Sequence, residues 1–558
     1  MLKFITRQDL LEIELIHRVE EDDLERLKNL FSLDHYRINL YFLNIYSIPS
    51  ACVDLLHERI GDNKKKVSII VNRARLSKYL YTLGFKVNLD FGNSYNYTPT
   101  DKIDVFAIGG SSDSTQKILK IISEIDTQEM TIFIIQHVGK GEISDVSLPN
   151  IVQKYTNSVV LYPTDGMHIQ KGYIYIAPPS KHMTLKNGII SLEDGKEING
   201  AKPSISHSFL SLSDYYKERL VVLLSCGNER DGVDVLPLLK QNRSVILLED
   251  PKECRATSIP KEAKEQGIYD YILSLHDIIL FFDILQKDFS NNCETLSYLL
   301  EKIHEKYEYD FRLYNQDSVM RRVLNFMAKV RVKEMQDLLY LVLLKESAFR
   351  GLFLNISINV TELFRDILSF KELMHLIEKE HKNCYNLKIW SAGCSSGEEV
   401  YSTAILLNEM GLLEKSIIYA TDFNPVVIEE AKSGLYPLAT YTKALQNYEA
   451  LGFQTPLSNY FAKNSKYVKV DPLIKKRVQF FVHNLEKDAV FNEFDIIECK
   501  NVLIYFNSEL TDKIFQLLYD SLKFGGHILL GESEEISKKF KYKFQKYSDN
   551  CKIYRKIA

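Results

Sequence analysis

Proline and glycine are scarce, 14 and 24 among 558 residues, so no flexible linker announces itself and boundaries must come from changes of pattern. The eight cysteines include no C-x-x-C pair, which suggests neither a zinc site nor a disulfide framework, and no metal is expected. Free thiols fit a reducing compartment. Long apolar runs are missing too. The best stretch, Tyr271 to Leu285, is broken by His276, Asp277 and Asp283 and does not qualify as a membrane span. The opening Met1-Leu2-Lys3-Phe4 soon meets Asp9, Glu12 and Glu14, unlike a secretory leader. Charge of neither sign dominates: 70 Lys and Arg stand against 74 Asp and Glu. Nucleic acid and anionic membrane are therefore not expected as main partners. A cytoplasmic protein with no direct membrane insertion is the expectation.

What is present reads as an α/β chain too long for one core. Residues 1–98 form a small α/β unit, with strands at Ile38 to Leu43 and Val67 to Val71 and an amphipathic helix from Ser50 to Ile60 between them. Residues 99–290 alternate apolar strands (Val105 to Ile108, Thr131 to Ile135, Gly172 to Ala177, Leu220 to Leu224, Ser244 to Leu248) with helices. That order implies a doubly wound parallel sheet. Residues 291–558 begin with a helical subdomain, 291–358, whose helices Ser318 to Lys329 and Val332 to Lys345 are rich in Arg and Lys. Strand–helix alternation then returns, giving a Rossmann-like domain over 359–558.

In that last part the strand Leu387 to Trp390 runs into Ser391-Ala392-Gly393-Cys394-Ser395-Ser396-Gly397-Glu398-Glu399 and a helix from Val400 to Glu409. A small-residue turn lets a nucleotide-like ligand approach backbone amides at a strand end. The next strand, Ser416 to Ala420, ends at Thr421-Asp422, where an acid can accept hydrogen bonds from both ribose hydroxyls. Glu398 and Glu399 at the helix start repel phosphate and suit a cation such as a sulfonium. Taken alone, the turn equally fits an ordinary αβ connection.

Two further blocks stand in order around it, Asn359-Val360-Thr361-Glu362-Leu363-Phe364-Arg365-Asp366 and Phe494 to Phe506. From about Tyr307 onward, with a helical start at Phe311-Arg312-Leu313-Tyr314, the chain resembles the CheR-type protein-glutamate methyltransferases. The resemblance implies S-adenosyl-L-methionine as cofactor, held by Asn359, Thr361, Arg365, Glu399, Asp422, Asn484, Leu485, Cys499 and Lys500. It places Arg365 and Tyr505 near the transferred methyl. Arg365 can grip a substrate carboxylate in a bidentate pair. No strong base is required, because a glutamate is already ionised. Lys500 stands where the family usually has Arg, keeping the charge and losing the fork.

In the middle part, Gly109-Gly110-Ser111-Ser112 follows a strand, the next strand ends Gln136-His137, and Ser225 to Gly232 follows a third. Parallel strands bring their carboxyl ends to one edge, so Ser111, His137 and Asp231 can meet as nucleophile, base and orienting acid. With Ala177-Pro178-Pro179 and Lys202-Pro203-Ser204, the region from Ile103 to Asp288 resembles the CheB-type protein-glutamate methylesterases, which implies the same triad. The departures are Asp113 and Ser114, where the family continues with glycines, and Asn228 and Glu229 in the acid loop. They leave open a catalytic triad or a degenerate docking module.

Residues 38 to 87 weakly resemble a STAS domain. The turn reads Pro49-Ser50-Ala51-Cys52, so a phosphorylatable signature is mostly absent; a plain docking module fits as well, and either implies a regulatory partner at the N-terminal unit. The Lys64-Lys65-Lys66 run reads as a solvated loop. The resemblances together imply a fused chemotaxis methylesterase–methyltransferase acting on the cytoplasmic helices of methyl-accepting chemoreceptors. Arg312, Arg321, Arg322, Lys329 and Arg331 suit such acidic helices. A non-catalytic signalling scaffold is the rival reading, and a small-molecule methyltransferase a more distant one.

Overall fold

A computed structural model of the chain describes residues 2–7, 10–16, 21–31, 37–43, 48–62, 67–71, 87–89, 103–137, 147–227, 230–357 and 361–558. The chain makes two compact units: Met1–Gly92, Leu300–Lys329 and Ser347–Ala558 form one, Asn93–Leu299 and Val330–Glu346 the other. Packing thus divides the chain differently from a linear reading into three parts. Leu435 shares the apolar core of the N-terminal sheet, with Tyr467 packed against it. Tyr340 likewise rests on Phe281 of the middle unit, ring centroids 5.2 Å apart. No helix of the described residues is long and apolar enough to cross a membrane.

At the N-terminus, β1 (Leu2–Arg7), β2 (Leu10–Ile16), β3 (Arg37–Leu43), β4 (Val67–Val71) and β5 (Val87–Leu89) pair in that order, with only β1 antiparallel to its neighbour. Ile13 and Leu15 of β2 and Ile38, Leu40 and Phe42 of β3 alternate into one core. Sequence pattern reached β3, β4 and the helix Ser50–Asp62, but not β1, β2 or β5. The Lys64-Lys65-Lys66 run lies outside the described residues.

In the middle unit, seven strands form a wholly parallel sheet: β6 (Val105–Ser111), β7 (Thr131–His137), β8 (Val159–Leu161), β9 (Tyr173–Ile176), β12 (Leu220–Leu224), β13 (Val245–Glu249) and β14 (Tyr271–Leu273). The spatial order is β14-β13-β12-β6-β7-β9-β8, with the hairpin β10 (His182–Lys186) and β11 (Ile189–Glu193) apart from it. All five residues of β12 are buried, as a strand covered on both faces requires. Connections leave β6 toward β7 on one side and return to β12 on the other. The crevice at the carboxyl ends of β6 and β12 is therefore the topological switch point.

The last unit holds β15 (Leu387–Ala392), β16 (Ser416–Asp422), a small antiparallel sheet of β17 (Leu435–Pro437), β18 (Phe461–Lys463) and β19 (Tyr467–Val470), then β20 (Val478–Val482), β21 (Phe494–Cys499), β22 (Leu522–Leu530), β23 (Phe544–Lys546) and β24 (Ile553–Lys556). The large sheet runs β20-β16-β15-β21-β22-β24-β23, with β24 antiparallel to both its neighbours, and its switch point lies between β15 and β21. Phe311 to Tyr314 is a turn rather than the expected helical start. Its backbone is used in pairing: Tyr314 bridges to Phe506, and Asn507 N–H donates to the Leu313 carbonyl at 2.9 Å. The helix begins two residues later, as Gln316–Val330.

Candidate functional site

Beyond β15 the chain turns through Gly393, at φ 76°, where a Cβ would lie 2.4 Å from Val502 Cγ2. Only glycine lets the turn approach the loop after β21 so closely. The N–H groups of Gly393 and Cys394 both donate to the Thr421 carbonyl at 2.8 Å, tying the turn to the end of β16. Asp422 completes the tie. One of its oxygens accepts from Ser395 N–H at 2.9 Å and the other from Asn424 N–H at 3.0 Å.

These elements wall a cavity that Thr361, Arg365, Glu399, Asp422, Asn484, Leu485, Lys500 and Tyr505 all line. Asn359 lies outside the described residues. Cys499, the last residue of β21, does not line the cavity: it is fully buried in the core, whereas its neighbours Glu498 and Lys500 face the space. Alternation along the strand end explains this, since neighbouring side chains take opposite faces. Arg365 sits between Phe364 and Asp366, both left-handed at φ 54° and 63°. Such backbone strain in non-glycine residues is characteristic of functional positions. Phe364 N–H is held by Ser402 Oγ at 2.8 Å.

Tyr505 lies in a short turn after β21 that a residue unmarked by the sequence pattern secures. The Glu534 carboxylate accepts the N–H groups of Asn501, Val502, Leu503 and Gly531, at 2.7–2.8 Å. No spacing or periodicity signals such a clamp from over thirty residues away. Burial raises the Tyr505 phenol, while Arg322 and Arg365 oppose that and so lie within its electrostatic reach. Lys500 donates to Glu399 at 2.6 Å and faces the Phe370 ring at 5.0 Å. Burial acts to lower the pKa of the Lys500 ammonium, but Glu399 and Glu498 outweigh it and hold the group charged.

Thr361 Oγ1, Ser395 Oγ and His483 Nδ1 are buried in this wall and find no hydrogen-bond partner among the described residues. Orphaned polar atoms around one cavity fit a polar ligand that completes their bonding. A tight turn at Gly393, an acid at the second strand end and carboxylates in the wall suit an adenosyl sulfonium.

In the middle unit, Ser111 and His137 end β6 and β7 and stand directly opposite each other in the parallel register. His137 Nε2 lies 3.0 Å from Asp231 Oδ2. Asp231 is fully buried at the start of the helix Ile205–Tyr216, accepting from Ser204 Oγ at 2.9 Å, Ile205 N–H at 2.5 Å and Ser206 N–H at 3.0 Å. Burial pushes its carboxyl upward, yet the bonds from His137, Ser206 and Ile205 outweigh burial and leave it below the usual range. The Ser111 hydroxyl donates to the Cys226 carbonyl at 3.2 Å, and the Ser111 carbonyl is braced by Ser114 Oγ at 2.6 Å and Gln136 Nε2 at 2.9 Å. Ser114 is thus a buried strut, whereas Asp113 is exposed. Asn228 and Glu229 lie outside the described residues. Cys226 and Cys254 form a disulfide, contrary to the expectation of free thiols alone; they follow the neighbouring strands β12 and β13, and the fold brings their Cα atoms to 5.3 Å.

An open α/β sheet with this cavity at its switch point places the domain in the Rossmann-like, nucleotide-cofactor-binding class. The family model described as CheR methyltransferase, SAM binding domain, matches residues 359–553. That described as CheB methylesterase matches residues 106–281. A Pseudomonas putida protein named Cher3 is 37% identical over 251 residues, 45% of this chain and 90% of its own. A chemotaxis protein methyltransferase of Listeria innocua is 33% identical over 233 residues, 41% of this chain and 84% of that one. A 104.1 kDa protein of Rhodobacter capsulatus is 24% identical over 432 residues, covering 70% of this chain and 44% of its own length. Among solved structures, the Thermotoga maritima CheB methylesterase catalytic domain matches with a TM-score of 0.30 and 23% identity, over 32% of this chain and 98% of that chain. The chain belongs to the CheR methyltransferase family, with a CheB methylesterase domain fused ahead of it, and its cofactor is S-adenosylmethionine.

Proposed function

We propose that this chain is a chemotaxis adaptation enzyme that forms methyl esters on glutamates of chemoreceptor cytoplasmic helices and hydrolyses them in its middle domain. The observation that carries the transfer reaction is the convergence of Arg365, Tyr505, Glu399 and Asp422 on one cavity. S-adenosylmethionine, when bound, supplies a methyl group on a sulfonium sulfur, open to in-line attack. Asp422 would accept from the ribose hydroxyls, while Thr361, Asn484, Leu485 and Lys500 would complete the pocket. Arg365 would hold and orient the substrate carboxylate, which needs no base because it is already ionised. Tyr505, fixed by the Glu534 clamp, closes the wall beside Arg365.

In the esterase reaction, Ser111 Oγ attacks the ester carbonyl while His137 takes its proton. His137 then gives that proton to the departing methanol, and water cleaves the glutamyl–serine ester by the reverse roles. Asp231, kept ionised by its donors, holds the imidazole. A second reading, an inactive docking domain, is favoured by one observation: the Ser111 hydroxyl is engaged with the Cys226 carbonyl. The five-stranded N-terminal sheet, read as STAS-like, would receive a regulatory partner.

The test uses the full chain, S-adenosylmethionine and a receptor cytoplasmic fragment, reading methyl incorporation and methanol release. Methylation with release that Ser111→Ala abolishes is expected. Release unchanged in that variant sinks the bifunctional reading, and no methylation of any receptor fragment sinks the transferase assignment.

A further inference from the structure

Beneath the cofactor cavity lies a carboxylate that neither the resemblance nor the reaction uses. Glu498, on β21, is only 3% exposed and lines the cavity. Its register partners are Ser391 on β15 and Leu529 on β22, neither of them charged. From the helix Glu398–Glu409, Thr403 Oγ1 lies 3.2 and 3.1 Å from its two oxygens, and Glu399 is the charged group on that side. From its own strand end comes Lys500, whose ammonium is bonded to Glu399. One cation therefore stands between two acids.

We propose that Glu498 is a specificity-determining carboxylate that makes the cavity favour the sulfonium cofactor over its thioether product. The proposal rests on the S-adenosylmethionine assignment and deepens it. Asp366 also acts on the Lys500 ammonium, so that cation already faces two acids, and ionisation of Glu498 adds a further negative charge to the cavity wall. S-adenosylmethionine brings a fixed positive charge at sulfur, whereas S-adenosylhomocysteine brings none there, so only the former gains from that added charge. Burial raises the Glu498 carboxyl to about 7, with Lys500 drawing it down and Glu399 pushing it up, so its charge responds to a ligand near neutrality. A unit charge acting over about 10 Å at an effective dielectric of about 20 changes an equilibrium roughly tenfold.

The experiment is calorimetric titration of the full chain with each ligand from pH 6 to 8.5, for the wild type and Glu498→Gln. In the wild type, the ratio of the product's Kd to the cofactor's should rise roughly tenfold across that range. In the variant the rise should be lost. Contributions from the ligand amine and from His483, which lines the same cavity, are common to both proteins and cancel in the comparison. Identical pH profiles overturn the proposal.

A second measurement needs no variant. At about pH 6.5 the ligand amine is protonated, and titration in two buffers of different ionisation enthalpy counts the protons exchanged. Cofactor binding should release a larger fraction of a proton than product binding, and equal counts overturn the proposal. Failure of both ligands to bind the wild type would instead remove the cofactor assignment on which it stands.

Discussion

His137 Nε2 and Asp231 Oδ2 lie 3.0 Å apart, and the same carboxylate caps the helix Ile205–Tyr216 through two backbone N–H groups. The acid is thus fixed by the fold before any substrate arrives, and its donors favour its ionised form. Asp231→Asn replaces one acceptor oxygen by a donor and disturbs the imidazole's tautomer. Demethylation by the purified chain should fall about 10³- to 10⁴-fold, with receptor methylation unchanged. A fall below tenfold would remove Asp231 from the mechanism.

The two departures in the serine turn should behave oppositely. Asp113 is exposed, so water screens its charge; Asp113→Gly should change kcat/KM for demethylation less than about threefold. Ser114 is buried with its hydroxyl on the Ser111 carbonyl at 2.6 Å. Ser114→Gly loses that bond and loosens the turn, costing about 1 kcal/mol. Thermal unfolding and steady-state kinetics of the pair check both statements, and a larger effect at Asp113 reverses the argument.

Asp422 joins two duties, bracing the turn through Ser395 and Asn424 and offering its oxygens to a ribose. Asp422→Ala should weaken S-adenosylhomocysteine binding by about 1.5–3 kcal/mol, and should also lower Tm by freeing two N–H groups. Calorimetric titration reads the first and a melting curve the second. Unaltered affinity would place the ribose elsewhere.

Much of this architecture could be read from residue order, because apolar strands such as Leu220 to Leu224 are short, continuous and bounded. The Gly393 turn and Asp422 were legible for the same reason: each follows a buried strand directly. Contacts made across the chain were not. Glu534 collects four N–H groups from two loops, and Cys226 meets Cys254 across 28 residues, with no local pattern to announce either. The joining of Leu435 to the N-terminal core is invisible to a linear search for boundaries. Cys499 illustrates the remaining difficulty: a motif names neighbours, but the pleat decides which of them faces the cavity.

The buried cluster also makes stability depend on pH, with a sign that follows from the direction of the shift. Glu498 moves from 4.5 up to about 7 on folding, so the folded state holds its proton more tightly than the unfolded chain. The corresponding stability is full below the unfolded value and is lost as pH rises through about 7. Glu498→Gln, which cannot ionise, should therefore raise Tm relative to wild type more at pH 8 than at pH 5. Lys500→Met should do the reverse. Lys500 is buried with 5% side-chain exposure, and its loss leaves Glu399 and Glu498 without a cation. Breaking a buried pair in this way costs about 3–5 kcal/mol. The loss should be largest at pH 8 and smaller at pH 5, where Glu498 takes up a proton. Urea unfolding of both variants at the two pH values decides it: equal losses for Lys500→Met at pH 5 and pH 8 would mean that Glu498 does not change charge in the folded protein.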